Sequence, residues 1–133
     1  MQIMNWNYRS APFWQRILFW NVVGFVLTNF FVILNRWSGI PFDFVSLITA
    51  NSSASEMLFR PWTILTYMFA HEGLWHFAFN MWIFYFVSRI FTTFLNEKKL
   101  LPLYLAGGLG GFVVYFLVYN IFPAFDSPYG IPI

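Results

Sequence analysis

Three long apolar stretches dominate this sequence and leave it few folds to adopt. They run over about 17–34, 76–94 and 100–122. At about 1.5 Å of rise per residue, a helix of such a length crosses most or all of a hydrocarbon core about 30 Å thick. Because lipid offers the backbone no hydrogen bonds, a segment of this kind is stable there as a helix. The sequence therefore predicts an all-α transmembrane protein with three spans.

The composition supports a membrane environment over a soluble one. Hydrophobic residues make up 59% of the 133 positions and charged residues 9%, whereas a soluble domain is about 25% charged. A soluble chain of this size could not hide 19 Phe, 7 Trp and 7 Tyr without large exposed apolar patches. We therefore expect one membrane domain over 1–133, with the lipid bilayer as its main partner.

Charge and cysteine content exclude several classes of function. The formal net charge is only +2 and the basic residues are dispersed, so no phosphate-binding stripe for nucleic acid is formed. The sequence contains no cysteine, which excludes disulfides, thiolate catalysis and cysteine-based metal sites. No nucleic-acid partner is expected.

The segment between the first and second spans, 37–70, is expected to be a long outer loop. Gly39, Pro41 and the serine-rich stretch 51–56 supply turn residues that end the helical pattern. The same segment is rich in apolar residues, which indicates that it lies partly in the membrane interface. A break at 71–73 should separate this loop from the second span.

The basic residues predict the orientation of the spans. In a three-span arrangement, five of the seven fall on one side of the membrane, and this side is expected to be cytoplasmic. We expect a plasma membrane or a bacterial-type inner membrane, with the N-terminus in the cytoplasm. The five are Arg9, Arg16, Arg89, Lys98 and Lys99, and the other two are Arg36 and Arg60.

The two histidines, His71 and His76, invite a zinc-site interpretation that the spacing does not favour. A zinc helix needs histidines at i and i+4 so that both rings reach one metal. Here the step is five, which would separate the rings by about 140° on a regular helix. No third ligand is evident, so we expect no metal site and no organic cofactor.

His76 and Asn80 are spaced i, i+4 and share one face near the outer end of the second span. One interpretation is that both side chains only hydrogen-bond neighbouring helices, which is common in membrane bundles. The other is that they project donors into one water-accessible cavity and stabilise a developing oxyanion. The pattern alone leaves both open.

The segment 60–81 resembles the one that leads into the second helix of rhomboid proteases. It carries the H-x4-H-x3-N spacing of that family as His71, His76 and Asn80. The glycine-rich stretch 103–111 resembles the third helix of the same family. The resemblance implies a rhomboid-like helical bundle, truncated here to three spans.

The resemblance also implies roles for individual residues. His76 and Asn80 would donate to the oxyanion hole. His71 would help to order the outer loop and the mouth of the cavity, with Arg60 and Trp62 in support.

The activity implied by the resemblance is intramembrane serine endoproteolysis of transmembrane protein substrates. In the family, a serine in a G-x-S-G element and a later histidine act as nucleophile and base. Neither is found here, and the sequence ends about where the fourth helix should begin. We therefore expect the 133-residue chain to be inactive alone. The alternative is a non-catalytic rhomboid-like membrane binding or scaffold protein, and the oligomeric state is open.

Small residues in the second and third spans are expected to serve packing. Ser88 has no base available and is interpreted as a helix-packing residue. Gly107 and Gly111 form a small-xxx-small pair, which Gly108 and Gly110 widen. We expect this glycine face to receive neighbouring helices and to be an unfilled groove in their absence.

Overall fold

The computed structural model describes residues 8–39, 43–71 and 73–122, and within these ranges it is helical and contains no strand. The predicted all-α class is confirmed. Three short 3₁₀ turns lie between the helices, at Val45–Leu47, Tyr67–Phe69 and Glu97–Lys99. The α-helices are α1 (Phe13–Ser38), α2 (Ala54–Phe59), α3 (Thr63–Thr66), α4 (Leu74–Phe94) and α5 (Leu100–Ile121).

Two glycines set the limits of the long helices at the outer end of the bundle. Gly39 follows α1 with φ of 64°, and Gly73 precedes α4 with φ of 90°. Side chains with a Cβ disfavour this left-handed backbone, so glycine ends one helix and starts the other cleanly. The expected break before the second span is thus confirmed at Gly73.

Contacts between aromatic rings define how the long helices run. Phe25 of α1 stacks on Phe77 near the start of α4, with centroids 4.3 Å apart. Trp14 near the start of α1 meets Tyr85 further along α4, at 5.3 Å. The residue nearer the start of α1 therefore contacts the residue further along α4, so the two helices are antiparallel.

Helix α5 returns in the direction of α1. Its first residues lie at the same end as the start of α1, where the backbone N–H of Phe13 donates to Glu97 Oε2 at 3.4 Å. Near its other end, the Asn120 amide donates to the carbonyl of Ser52 at 2.9 Å. The chain thus alternates up, down and up, as three consecutive spans require.

The segment expected to be an outer loop is more ordered than a loop, since it contains α2, α3 and two of the 3₁₀ turns. Residues 63–69, which we call the wedge, pack against both α1 and α5. A Cβ on Gly24 would lie 2.5 Å from the carbonyl oxygen of Phe69, and a Cβ on Gly108 would collide with the Met68 side chain. The two glycines therefore admit the wedge at van der Waals contact with the helices.

Among the residues that the structure describes, two helical segments have the length and apolar character to cross a membrane. They are Phe13–Ser38 and Glu97–Ile121, with mean hydropathies of 2.2 and 1.8. Helix α4 has 21 residues, a comparable length, but His76, Asn80 and Arg89 lower its hydropathy. That α4 also spans the membrane stays a prediction.

The outer surface of α4 is apolar and open. Ser88 is its only fully buried residue, whereas Trp75 and Phe94 are more than four-fifths exposed. Exposure of such an apolar surface to water is unfavourable, whereas contact with lipid acyl chains is not.

Candidate functional site

His71 occupies a fixed position where the wedge meets α4. It is only 7% exposed, and the Asn29 amide of α1 donates to its backbone carbonyl at 3.1 Å. Its Nδ1 lies 3.3 Å from the carbonyl oxygen of Phe69. Burial lowers the pKa of the imidazole, the contact with Phe69 opposes this, and the nearby charge of His76 lowers the pKa further. The neutral ring is therefore favoured.

His76 lies on the first turns of α4 and is exposed. Its ring meets that of His71 edge-on, with centroids 5.7 Å apart and an interplanar angle of 65°. It lines an open cavity of about 1240 Å³ between the end of α1 and the outer segment. The polar wall of that cavity includes Asn35, Arg36 and Asp43.

Asn80 follows one turn later and lines a different cavity, of about 390 Å³, between α4 and α5. His71, Met68 and Gly108 also line it. The Asn80 amide is half-buried and makes no hydrogen bond to the residues that the structure describes. A donor without a partner at the edge of a cavity is available to a ligand.

His76 lines the cavity beside α1, and Asn80 lines the cavity between α4 and α5. His71 connects the two: it lines the same cavity as Asn80, and its ring packs edge-on against that of His76. That His76 and Asn80 serve one water-accessible site stays a prediction. The candidate site is formed by the three side chains His71, His76 and Asn80.

Arg60 and Trp62 make contacts within the outer segment. The Arg60 guanidinium donates to the carbonyl of Ser46 at 3.0 Å and lies 3.6 Å from the Glu56 carboxylate. The Trp62 indole donates to the carbonyl of Leu47 at 2.9 Å. Both side chains tie α2 and the start of the wedge to the 3₁₀ turn near 45–47.

The glycine face of α5 is only partly an open groove. Met68 of the wedge covers Gly108, the Tyr67 hydroxyl donates to the Gly108 carbonyl, and a Cβ on Gly111 would lie 3.6 Å from that hydroxyl. Nothing stands within 4 Å of a Cβ at Gly107 or Gly110. The expectation of an unfilled groove is thus wrong at Gly108 and Gly111, because the wedge folds back onto them.

Ser88 is buried at 1% exposure, and its hydroxyl donates to the Tyr85 carbonyl at 3.0 Å. Its interpretation as a packing residue is confirmed.

The centre of the bundle contains a hydrogen-bond network around Asn21, whose burial against protein the sequence indicates. Asn21 of α1 is fully buried and donates to Ile17 O. The Tyr104 hydroxyl of α5 lies 3.1 Å from Asn21 Oδ1 and 3.2 Å from Met68 O, in reach of both as acceptors. An asparagine in the middle of an apolar run was the signal available, since such a residue needs a partner within the bundle.

These features define a helical membrane protein whose polar side chains converge at the outer end of α4. The family model of the Rhomboid domain matches residues 58–124, half of the chain, from the end of α2 through α5. The chain belongs to the rhomboid family.

One relative adds detail to the family assignment. The chain is 38% identical over 68 residues to the RHOMBOID-like protein 12, mitochondrial, of Arabidopsis thaliana. The aligned region is 51% of this chain and 20% of that protein, so the chain spans about a fifth of the length of this relative. No solved structure matches.

Proposed function

We propose that this chain contributes the oxyanion-binding part of an intramembrane serine endopeptidase that cleaves transmembrane proteins. The observation that carries the proposal is the Asn80 amide, which lines a cavity between α4 and α5 and has no partner among the described residues. Preorganised donors aimed at developing charge are worth most in a site of low dielectric. The family assignment supports the same conclusion.

In this proposal each polar side chain at the outer end has a separate task. Asn80 donates to the oxyanion from its amide nitrogen, and His76 donates from its ring at the cavity mouth. His71 is a positioning residue, because its buried ring packs against that of His76 and its backbone is bonded to α1. Arg60 and Trp62 hold the outer segment over the site.

Proteolysis also requires a serine nucleophile and a general base. In our proposal neither is among these 133 residues, because both histidines are used at the entrance of α4 and Ser88 is a packing residue. Further helices would supply them and would dock against the open positions of α5, Gly107 and Gly110. The residues present here bind the carbonyl oxygen of the scissile bond.

A non-catalytic role, in which the chain binds or scaffolds transmembrane helices, is the second candidate. The observation in its favour is that His71 and His76 pack against each other and Ser88 bonds only to its own helix among the described residues. On this view the Asn80 amide bonds a partner helix instead of a reacting carbonyl.

The two candidates are distinguished by the kinetics of an Asn80→Ala variant of the natural full-length protein, reconstituted with a transmembrane substrate. We expect kcat to fall by about ten- to a thousandfold with a smaller change in KM, as for the loss of one oxyanion donor. Ser88→Ala is the control on the same helix, and it should retain activity. An unchanged kcat in Asn80→Ala would remove this residue from the mechanism, and an inactive wild type would favour the scaffold.

We further propose that the N-terminus and the α4–α5 turn face the cytoplasm of a plasma membrane or bacterial-type inner membrane. The mitochondrial location in the name of the relative is the alternative. Because the chain has no native cysteine, Ser55→Cys and Asn96→Cys variants report the topology. An impermeant thiol reagent outside intact cells should label the first and spare the second. Labelling of both from one side would contradict the three-span topology.

A further inference from the structure

A third cavity, with both polar and apolar walls, lies at the opposite end of the bundle from His71. It has a volume of about 650 Å³ and separates the last turns of α4 from the first turns of α5. Its walls are mostly apolar, and its polar residues are confined to the turn between the helices. The apolar lining is Phe91, Leu95, Pro102, Leu103 and Ala106, and the polar lining is Asn96, Lys98 and Lys99.

The turn at the mouth of this cavity carries a net positive charge, from two lysines and one glutamate. Lys98 and Lys99 are exposed, and neither makes an ion pair within the described part of the chain. The one acidic residue of the turn, Glu97, is directed towards α1, where it accepts from the Phe13 backbone N–H. The start of α5 adds the positive end of a helix dipole.

If α4 and α5 both span the membrane, as we expect, the cavity lies at the depth of the lipid headgroups. It is formed at the ends of two long helices, one of which, α5, has the hydropathy of a membrane span. Lysines at such a boundary attract anionic headgroups, and basic pockets between transmembrane helices bind them. The apolar walls below the lysines match an acyl chain and would not attract a free phosphate ion.

We propose that this cavity is a binding site for an anionic phospholipid. The lipid phosphate lies between the Lys98 and Lys99 ammonium groups, and an acyl chain runs along Phe91, Leu95 and Leu103. The Asn96 side chain is held by its own turn, since its Oδ1 accepts from the Lys98 backbone N–H at 2.9 Å. This proposal is independent of the catalytic one, because it rests on the other end of the molecule.

The test titrates the detergent-solubilised chain with dioleoyl phosphatidylglycerol and counts bound lipid by native mass spectrometry. We expect Lys98→Gln and Lys99→Gln each to weaken binding by about fivefold and the double variant by roughly 25-fold, at about 1 kcal/mol per lysine. Arg36→Gln removes the same charge from the other end of the bundle and should leave the affinity unchanged. Equal weakening by Arg36→Gln, or none in the double variant, would overturn the proposal.

Two further arms identify the ligand as a lipid with this headgroup. Dioleoyl phosphatidylcholine and glycerol phosphate should each bind much more weakly than phosphatidylglycerol. Ala106→Phe fills the apolar part of the cavity without touching a charge and should also weaken lipid binding. If glycerol phosphate binds as tightly as the lipid, or if Ala106→Phe has no effect, the site does not hold an acyl chain and the proposal fails.

Discussion

Helix α4 and the unit formed by α1, the wedge and α5 are held together in different ways. Within that unit the wedge backbone touches Gly24 and the Met68 side chain touches Gly108. Helix α4 buries only Ser88 completely and meets α1 largely through rings, such as Phe77 on Phe25. The first part is packed through glycines against the backbone and the Met68 side chain, and the second through aromatic side chains.

The proposed donors, His76 and Asn80, lie on α4, the part that packs through aromatic side chains. Asn80 has no hydrogen-bond partner among the described residues, whereas buried Asn21 on α1 is hydrogen-bonded. A polar group whose bonds are all made inside the protein stabilises the fold and offers nothing to a ligand. Substitutions in the α1–wedge–α5 unit should therefore change stability, and Asn80→Ala should leave it nearly unchanged.

The largest stability effect is expected from Gly24→Ala. The new Cβ would lie 2.5 Å from the Phe69 carbonyl oxygen and 2.9 Å from the Phe69 Cβ, neither of which can rotate away. Overpacking of this kind costs about 1–3 kcal/mol. The measurement is thermal unfolding of the purified chain in detergent micelles.

Gly110→Ala is the matched control for that experiment. It makes the same change in a helix, but nothing lies within 4 Å of the added Cβ. The gain in helix propensity, up to about 1 kcal/mol, should leave it as stable as wild type or slightly more so. Equal stability of the two variants would mean that the wedge does not pack on α1 as described.

A smaller effect is expected from Tyr104→Phe. This change removes the hydroxyl that lies within hydrogen-bond distance of Asn21 Oδ1 and Met68 O and leaves two buried acceptors with less support. Hydrogen bonds within membrane proteins are worth about 0.6 kcal/mol on average, so a destabilisation of that order should appear in the same unfolding assay.

Tyr85→Phe on α4 provides the comparison for Tyr104→Phe. The Tyr85 ring contacts Trp14, but its hydroxyl makes no hydrogen bond to the described residues. Its loss should not change the unfolding temperature. A larger effect at Tyr85 than at Tyr104 would contradict the conclusion that hydrogen bonds between α1, the wedge and α5 stabilise the fold.

The helical class and the start of α4 could be predicted from the sequence, whereas α1 extends beyond the predicted 17–34 at both ends. The apolar stretches exceed what a turn or a strand needs, and Gly73 breaks the pattern at the point where α4 starts. The burial of Ser88 could be predicted as well, because a small polar residue within a span is stable against another helix. These are local properties of a segment in lipid.

The position of the wedge could not be predicted from the sequence. A single glycine such as Gly24 within an apolar run has no pattern of its own, and its role appears only when the backbone of Phe69 lies against it. The same segment covers Gly108 and Gly111 of α5 and leaves Gly107 and Gly110 open, although both pairs have helical spacing. It also brings His71 to the cavity that Asn80 lines.

The smallest effect concerns pH and follows from the burial of His71. Burial lowers the pKa of its ring from the ordinary value of 6.5, so between the folded and unfolded pKa values the unfolded chain binds more protons. The stability that this ring contributes is then fully present above about pH 6.5 and falls as pH drops through the folded pKa.

The measurement is the unfolding temperature between pH 7 and pH 5, in steps of about one pH unit. The unfolding temperature should fall less in His71→Gln than in wild type. His76→Gln is the comparison: burial of His71 is the main cause of its lowered pKa and the charge of His76 the smallest, so this variant should keep most of the wild-type loss. Contributions that the three proteins share cancel in the comparison. The same loss in His71→Gln and wild type would show that the His71 ring is not buried where the wedge meets α4.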